Sequence, residues 1–302
     1  MRFIIRGTVQ GVGFRPAVYR AAEAVGARGT VRNDGSCVTI DADRGEELLA
    51  ELLRNLPPLA RIESIERRER DLDPSAEGFS ITESEDDASL GAPIPADTAV
   101  CPECLADMRS GRRTGYPFTT CTGCGPRFTL LRSLPYDRRR TAMDAFPMCP
   151  ACGREYADPG DRRFHHQTVC CPECGPRYRL LDRSGGEVPG EPVGRFAEML
   201  GEGGIGVAKS WGGMHICCIL SETARMRKWY RREQKPFAIM ARDVEAARRY
   251  CRPTDEEVEV LQSPHRPIVL AEKRRGGVTE LVSPGLGNIG VFLPYEIGRA
   301  HV

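Results

Sequence analysis

Arg2 to Val9 alternates apolar and polar positions and reads as a strand. Pro16 to Val25 reads as a helix, with Pro in its first turn and Gly26 past its end. Gly29 to Asn33 and Cys37 to Ala42 read as two further strands joined at Asn33-Asp34-Gly35, a hairpin signal. Leu48, Leu49, Leu52, Leu53 and Leu56 recur at helical spacing over Glu46 to Leu56, and the run stops before Pro57-Pro58. Ile62 to Arg70 alternates again. The order β-α-β-β-α-β is the split βαβ arrangement and predicts a ferredoxin-like α+β unit over residues 1–88.

Residues 89–100 read as a linker, the tail of a polar, acidic stretch containing Gly91, Pro93 and Pro95. An internal repeat over 101–180 follows: Cys101-Pro-Glu-Cys104 with Cys121-Thr-Gly-Cys124, then Cys149-Pro-Ala-Cys152 with Cys171-Pro-Glu-Cys174. Cys-Gly-Pro-Arg recurs at Cys124 to Arg127 and at Cys174 to Arg177. Over 181–295 the cysteine pairs stop, and Phe196–Leu200, Ile205–Ala208, Phe237–Met240 and Ile268–Ala271 suggest an α/β unit. That unit reads as incomplete, because Ile289 to Tyr295 looks like a buried strand approaching a turn. Residues 296–302 resemble translated adaptor DNA more than natural protein and are left out of the fold reading.

Composition then narrows the classes. With 43 Lys+Arg against 42 Asp+Glu in 302 residues, an extended nucleic-acid footprint is disfavoured as the main business, although Arg138-Arg139-Arg140 could meet an anion. No run of 18 apolar residues exists to span a bilayer, and the start lacks the apolar core of a secretory signal, so a cytoplasmic protein is expected. Eight of the 13 cysteines fall into the C-x-x-C pairs, where metal is a better reading than disulfides.

Three places carry candidate chemistry. Gln10-Gly11-Val12-Gly13-Phe14-Arg15 lies between a strand and a helix. Its glycines let successive N–H groups turn to one point, the helix start adds a positive end, and Arg15 adds a fork of donors, together an anion cradle. Arg6 and Arg20 read as surface charges. Cys101, Cys104, Cys121 and Cys124, and again Cys149, Cys152, Cys171 and Cys174, can close two tetrahedral structural zinc sites. Sixteen residues separate the pairs of the first set and eighteen those of the second. Iron on four sulfurs is the chemical runner-up, and an interleaved partnering of the pairs stays open. Cys170 lacks the spacing of Cys171, and His165 and His166 read as exposed or hydrogen-bonding rather than as ligands. The third place is Gly203 to His215, together with Arg231 to Lys235. Its Lys209, His215, Arg232 and Lys235 lie beside backbone-exposing glycines and would suit a nucleotide.

Gly7-Thr-Val-Gln-Gly-Val-Gly-Phe-Arg15-Pro, with Asn33-Asp-Gly35, resembles the acylphosphatase signature. That resemblance implies that Gln10 to Arg15 hold a phosphoryl group while Asn33 orients the attacking water. The finger motifs C-T-G-C-G-P-R-F and L-P-Y-D-R-x-x-T, followed by D-R-R-F-H and K-P-F-A, extend the resemblance over residues 2–295 to the HypF carbamoyltransferase family of [NiFe]-hydrogenase maturation. Trp229-Tyr230 stand where that family tends to show Arg-Lys. The resemblance implies a partial YrdC-like third domain, two zinc ions, carbamoyl phosphate and ATP as substrates, and transfer of the carbamoyl group to the C-terminal cysteine of a partner, HypE. It also implies that a further transfer domain lies outside this sequence, leaving acyl-phosphate hydrolysis as the chemistry of this stretch, with at most weak RNA affinity in the third segment. The rival reading is a binding module for RNA or protein, with its N-terminal unit an inactive scaffold.

Overall fold

The structure is a computed structural model that describes residues 1–70, 77–84, 93–210 and 213–295. The acidic stretch at 85–92, Trp211-Gly212 within the third candidate place, and the 296–302 tail lie outside the described residues. The chain divides into two compact units, one holding 1–97 and 101–175, the other 98–100 and the described residues from 176 on.

The first unit begins with β1 (Arg2–Thr8), α1 (Phe14–Val25), β2 (Gly29–Asp34), β3 (Cys37–Ala42), α2 (Gly45–Arg54), β4 (Arg61–Arg68) and β5 (Phe79–Ile81). The expected elements appear with ends moved by one or two residues, and the sheet order is β4-β1-β3-β2-β5. β1 pairs antiparallel with β3 and β4, and β2 with β3. β5 was not legible in the sequence: it is three residues long and pairs parallel with β2. Phe3, Ile5, Val18, Val31, Val38, Ile40, Leu48 and Leu52, all buried, form one core between the sheet and the two helices. Alternation places Val31 and Asn33 on the same inward face of β2.

The finger segment carries two short helices, α3 (Pro102–Asp107) and α4 (Pro150–Ala157), each begun by the Pro of a C-x-x-C pair. Its apolar clusters are small and contain the cysteines themselves. A segment with so little core needs a further constraint to hold its shape.

In the second unit, α5 (Pro192–Gly201) precedes the antiparallel hairpin of β6 (Ile205–Ser210) and β7 (Gly213–Cys218). After α6 (Thr223–Trp229) come β8 (Ala238–Met240), α7 (Val244–Ala247), β9 (Cys251–Arg252), α8 (Asp255–Gln262), β10 (Val269–Lys273), α9 (Val278–Val282) and β11 (Asn288–Phe292). The four later strands form a sheet in the order β8-β11-β10-β9 around a core of Ile239, Leu261, Ala271, Ile289 and Val291.

Candidate functional site

The loop at 9–13 joins the end of β1 to α1. Gly13 caps α1 in the left-handed region at φ 77° and offers no side-chain acceptor, so no cap side chain takes up the N–H groups of Phe14 and Arg15. Gly11, at φ 69°, is also left-handed, and a Cβ there would meet the Tyr136 ring at 3.3 Å. Arg15 and Asn33 are both buried, at 8% and 1% exposure. They line one small cavity of about 30 Å³, together with Gly11, Gly13, Phe14 and His165. Gln10 donates from Nε2 to the carbonyls of Gly35 and Cys37, at 3.0 and 3.1 Å, pinning the loop to the β2–β3 turn. The two residues that the sequence marked as catalytic therefore share a pocket with the loop.

The finger segment roofs this pocket. Tyr136 donates its N–H to Gln10 Oε1 at 3.0 Å, and its carbonyl accepts from Asn33 Nδ2 and Arg15 Nη2, both at 3.3 Å. Asp137 Oδ1 accepts from Arg15 Nη2 at 2.9 Å, and Ser84 Oγ from Arg15 Nη1 at 3.4 Å. Arg127, 1% exposed, donates from Nε to the Gly11 carbonyl at 2.9 Å. In the sequence, Tyr136, Asp137 and Arg127 stand out only as parts of finger motifs. Only Arg127 lies in a repeated motif, Cys-Gly-Pro-Arg, and the loop that all three residues contact lies more than a hundred positions away.

Donation of Asn33 Nδ2 to Tyr136 leaves Asn33 Oδ1 as a buried acceptor without a hydrogen-bond partner. An unmet buried acceptor carries a desolvation cost of about 1–3 kcal/mol, so it marks a place where a donor belongs. Water, with its two O–H groups, is such a donor.

His165 packs against Tyr156 and Phe164, with ring centroids 4.9 and 4.7 Å away. Burial, and then the Arg15 charge, hold its pKa down at about 4. The unfolded ring titrates near 6.5, so the unfolded state takes up a proton first, and stability is lost as pH falls from about 6.5 towards 4. His165 sits at φ 52°, a left-handed geometry that Asn tolerates. His165→Asn is therefore expected to shrink the fall in melting temperature between about pH 6.5 and 4.5; an unchanged fall would assign it to other groups. His166 is fully buried rather than exposed, its Nε2 between the Thr120 and Thr168 hydroxyls at 2.9 and 3.0 Å.

Each cysteine set comes together within its own finger, not interleaved: Cys101, Cys104, Cys121 and Cys124, and separately Cys149, Cys152, Cys171 and Cys174, with sulfurs within 4.8 Å of one another. Zinc–sulfur bonds of about 2.3 Å in a tetrahedron put the sulfurs about 3.8 Å apart. The first set shows Sγ···Sγ distances of 3.7, 3.8 and 3.6 Å, and the second the same three values. The donor set and its spacing suit one structural zinc ion in each finger and leave no room for a cluster. Cys170 lies outside both sets and accepts from the Tyr116 hydroxyl at 3.6 Å.

Arg138 and Arg140, offered above as anion contacts, are structural: Arg138 donates to the carbonyls of Gln167, Val169 and Phe146, and Arg140 to that of Leu134. Arg6 lies on the surface, 3.7 Å from Glu66. Arg20 lines an open cleft of about 450 Å³ with Glu51 and Asn55. In the second unit Lys209 and His215 lie on the β6–β7 hairpin, where His215 Nε2 is 3.5 Å from the Tyr295 hydroxyl. Arg232 and Lys235 lie on the turn after α6, with Arg232 stacked over the Phe237 ring at 5.2 Å. Trp229 and Tyr230 are exposed and stacked on each other.

Comparison with known proteins adds to this geometry. The acylphosphatase family profile matches residues 1–81, the HypF finger profile 100–131 and 148–181, and a profile described as telomere recombination, of the Sua5/YciO/YrdC type, 198–298. A carbamoyltransferase HypF of Rhodobacter capsulatus is 45% identical over 97% of this chain and 40% of its own length. An acylphosphatase of Paraburkholderia xenovorans is 41% identical over 25% of this chain and 81% of its own length. The crystal structure of full-length HypF in the phosphate- and nucleotide-bound form superposes with a TM-score of 0.91 at 36% identity, over 99% of this chain and 40% of that one. The chain thus spans about two fifths of the HypF proteins it matches.

Proposed function

Because this chain belongs to the HypF family, with an N-terminal acylphosphatase unit, we propose that residues 1–84 with the finger roof hydrolyse carbamoyl phosphate to carbamate and phosphate. The observation that carries this reading is the buried, partnerless Oδ1 of Asn33, a residue that lines one pocket with Arg15, Gly11 and Gly13. The loop amides and Arg15 hold the phosphoryl oxygens, where charge is redistributed in the transition state. Asn33 Oδ1 accepts a hydrogen from water and aims its lone pair at phosphorus. The new O–P bond forms as the P–O bond to the acyl group breaks, and the water's protons pass to phosphate and solvent. Carbamate departs as an anion and needs no proton, so neither a covalent nucleophile nor a general acid is required. The test is phosphate release from carbamoyl phosphate by the 302-residue chain.

A guanidinium offers two forks, Nε with Nη2 and Nη1 with Nη2. Both use Nη2, which here already donates to Tyr136 and Asp137. A phosphoryl group gripped by two prongs must therefore displace one of these acceptors, and Asp137 is the charged competitor. Asp137→Asn is expected to tighten inorganic phosphate binding about tenfold, roughly one 1.4 kcal/mol step, by titration calorimetry. Weaker binding would mean that Asp137 serves to hold Arg15 in place for the anion.

The two four-cysteine sets are read as zinc ligands that stiffen the roof. In the longer protein, carbamate would pass to an ATP-dependent step in the YrdC-like unit, with Lys209, His215, Arg232 and Lys235 as candidate nucleotide contacts. The final acceptor would be the C-terminal cysteine of HypE. The likeness to a HypF solved with phosphate and nucleotide supports this placing. Carbamate decays in water, so a sequestered handover within one chain is physically sensible. A cytoplasmic setting belongs to the same reading, and no helix among the described residues is long and apolar enough to cross a membrane.

A further inference from the structure

The two fingers exchange arginines. Arg112 and Arg113 lie between the cysteine pairs of the first finger, yet they point at the second. Arg112 donates from Nη2 to Cys152 Sγ at 3.4 Å and to Glu155 at 2.8 Å. Arg113 pairs with Glu155 and donates from Nε to the carbonyl of Cys170 at 2.9 Å. The second finger answers in kind. Arg162 donates from Nη1 to Cys104 Sγ at 3.0 Å and pairs with Asp107. Arg163 also pairs with Asp107 and donates from Nε to the carbonyl of Thr120 at 3.1 Å. The match extends to burial, with side-chain exposures of 33% and 4% for Arg112 and Arg113 against 31% and 5% for Arg162 and Arg163. Thr120 and Cys170 each stand one residue before the third cysteine of their set.

Chemistry gives this exchange a purpose. Four thiolates on one divalent ion leave a net charge of about −2, and N–H donors to the sulfurs both offset that charge and fix the ligands. We propose that each metal site is balanced by the arginine pair of the other finger, so that each site's hold on its metal depends on its partner finger. This inference rests on the reading of the four-cysteine sets as metal sites.

The test is cadmium-113 NMR of the full chain, with the two resonances assigned through Cys101→Ser and Cys149→Ser. Arg162→Gln is expected to shift the resonance of the Cys101 site and to speed its metal loss to a chelator about 10- to 100-fold, the usual weight of an outer-shell partner. Arg112→Gln should do the same to the Cys149 site. A selective effect of Arg162→Gln on the Cys149 site, in whose own loop it lies, or no effect on either site, would overturn the proposal. Should the glutamine variants fail to fold, Arg162→Lys keeps the charge but loses the fork, and must still weaken the Cys101 site first. Absence of both resonances in the unaltered chain would overturn the metal reading itself and the dependence with it. Two normal resonances with the wrong response would sink only the dependence.

Discussion

Arg15→Ala is expected to lower phosphate release from carbamoyl phosphate by about 10²–10³-fold, the usual weight of one preorganised donor to developing charge. Arg15 is buried within α1, so its guanidinium is held in place by packing and does not have to be gathered from solvent when substrate arrives. Its removal also frees Asp137, leaving a carboxylate beside the anion site with no cation to offset it. Both effects act against phosphoryl binding, so inorganic phosphate should fail to bind as well. The checks are an initial-rate assay and a phosphate titration, together with thermal unfolding to show that the sheet is intact. Retention of both activities would remove the cradle from the mechanism.

The second large effect is expected from metal removal. Structural zinc contributes about 10–16 kcal/mol of apparent binding energy to small fingers, and the apolar clusters here are too small to replace it. Stripping metal with a strong chelator should abolish amide protection across 101–175 in hydrogen-exchange mass spectrometry. The β1–β5 sheet should keep its protection, because its core is its own. The loop at 10–15 is the exception, since Gln10, Arg15 and the Gly11 carbonyl lose Tyr136, Asp137 and Arg127. Protection of that loop should therefore fall with the fingers. Fingers that stay protected after metal loss would show that packing and the arginine pairs suffice to hold them.

Local signals made much of this legible. Asn33-Asp34-Gly35 announced the turn, the leucines of 48–56 the second helix, and the C-x-x-C pairs the metal sites, because each is written within a few residues of chain. Partnering of the cysteine pairs could not be read from spacing, since sequential and interleaved sets both fit. Phe79–Ile81 was hidden because three residues carry no period of their own, and only the parallel partner β2 makes them a strand. The roof was hidden for a stronger reason: Asn33 and Tyr136 are 103 positions apart, and Arg15 and Asp137 are 122. Nothing in either local pattern names the other. The exchange of arginine pairs is likewise a property of two folded copies facing each other. Arg112 and Arg162 carry no local sign of it.

The central claim is that Asn33 serves the attacking water and not the phosphoryl group, and one split measurement tests it. Asn33→Ala should bind inorganic phosphate within about twofold of the unaltered chain while releasing phosphate from carbamoyl phosphate about 10²–10³-fold more slowly. Turnover that survives the substitution, with binding unchanged, would contradict the account.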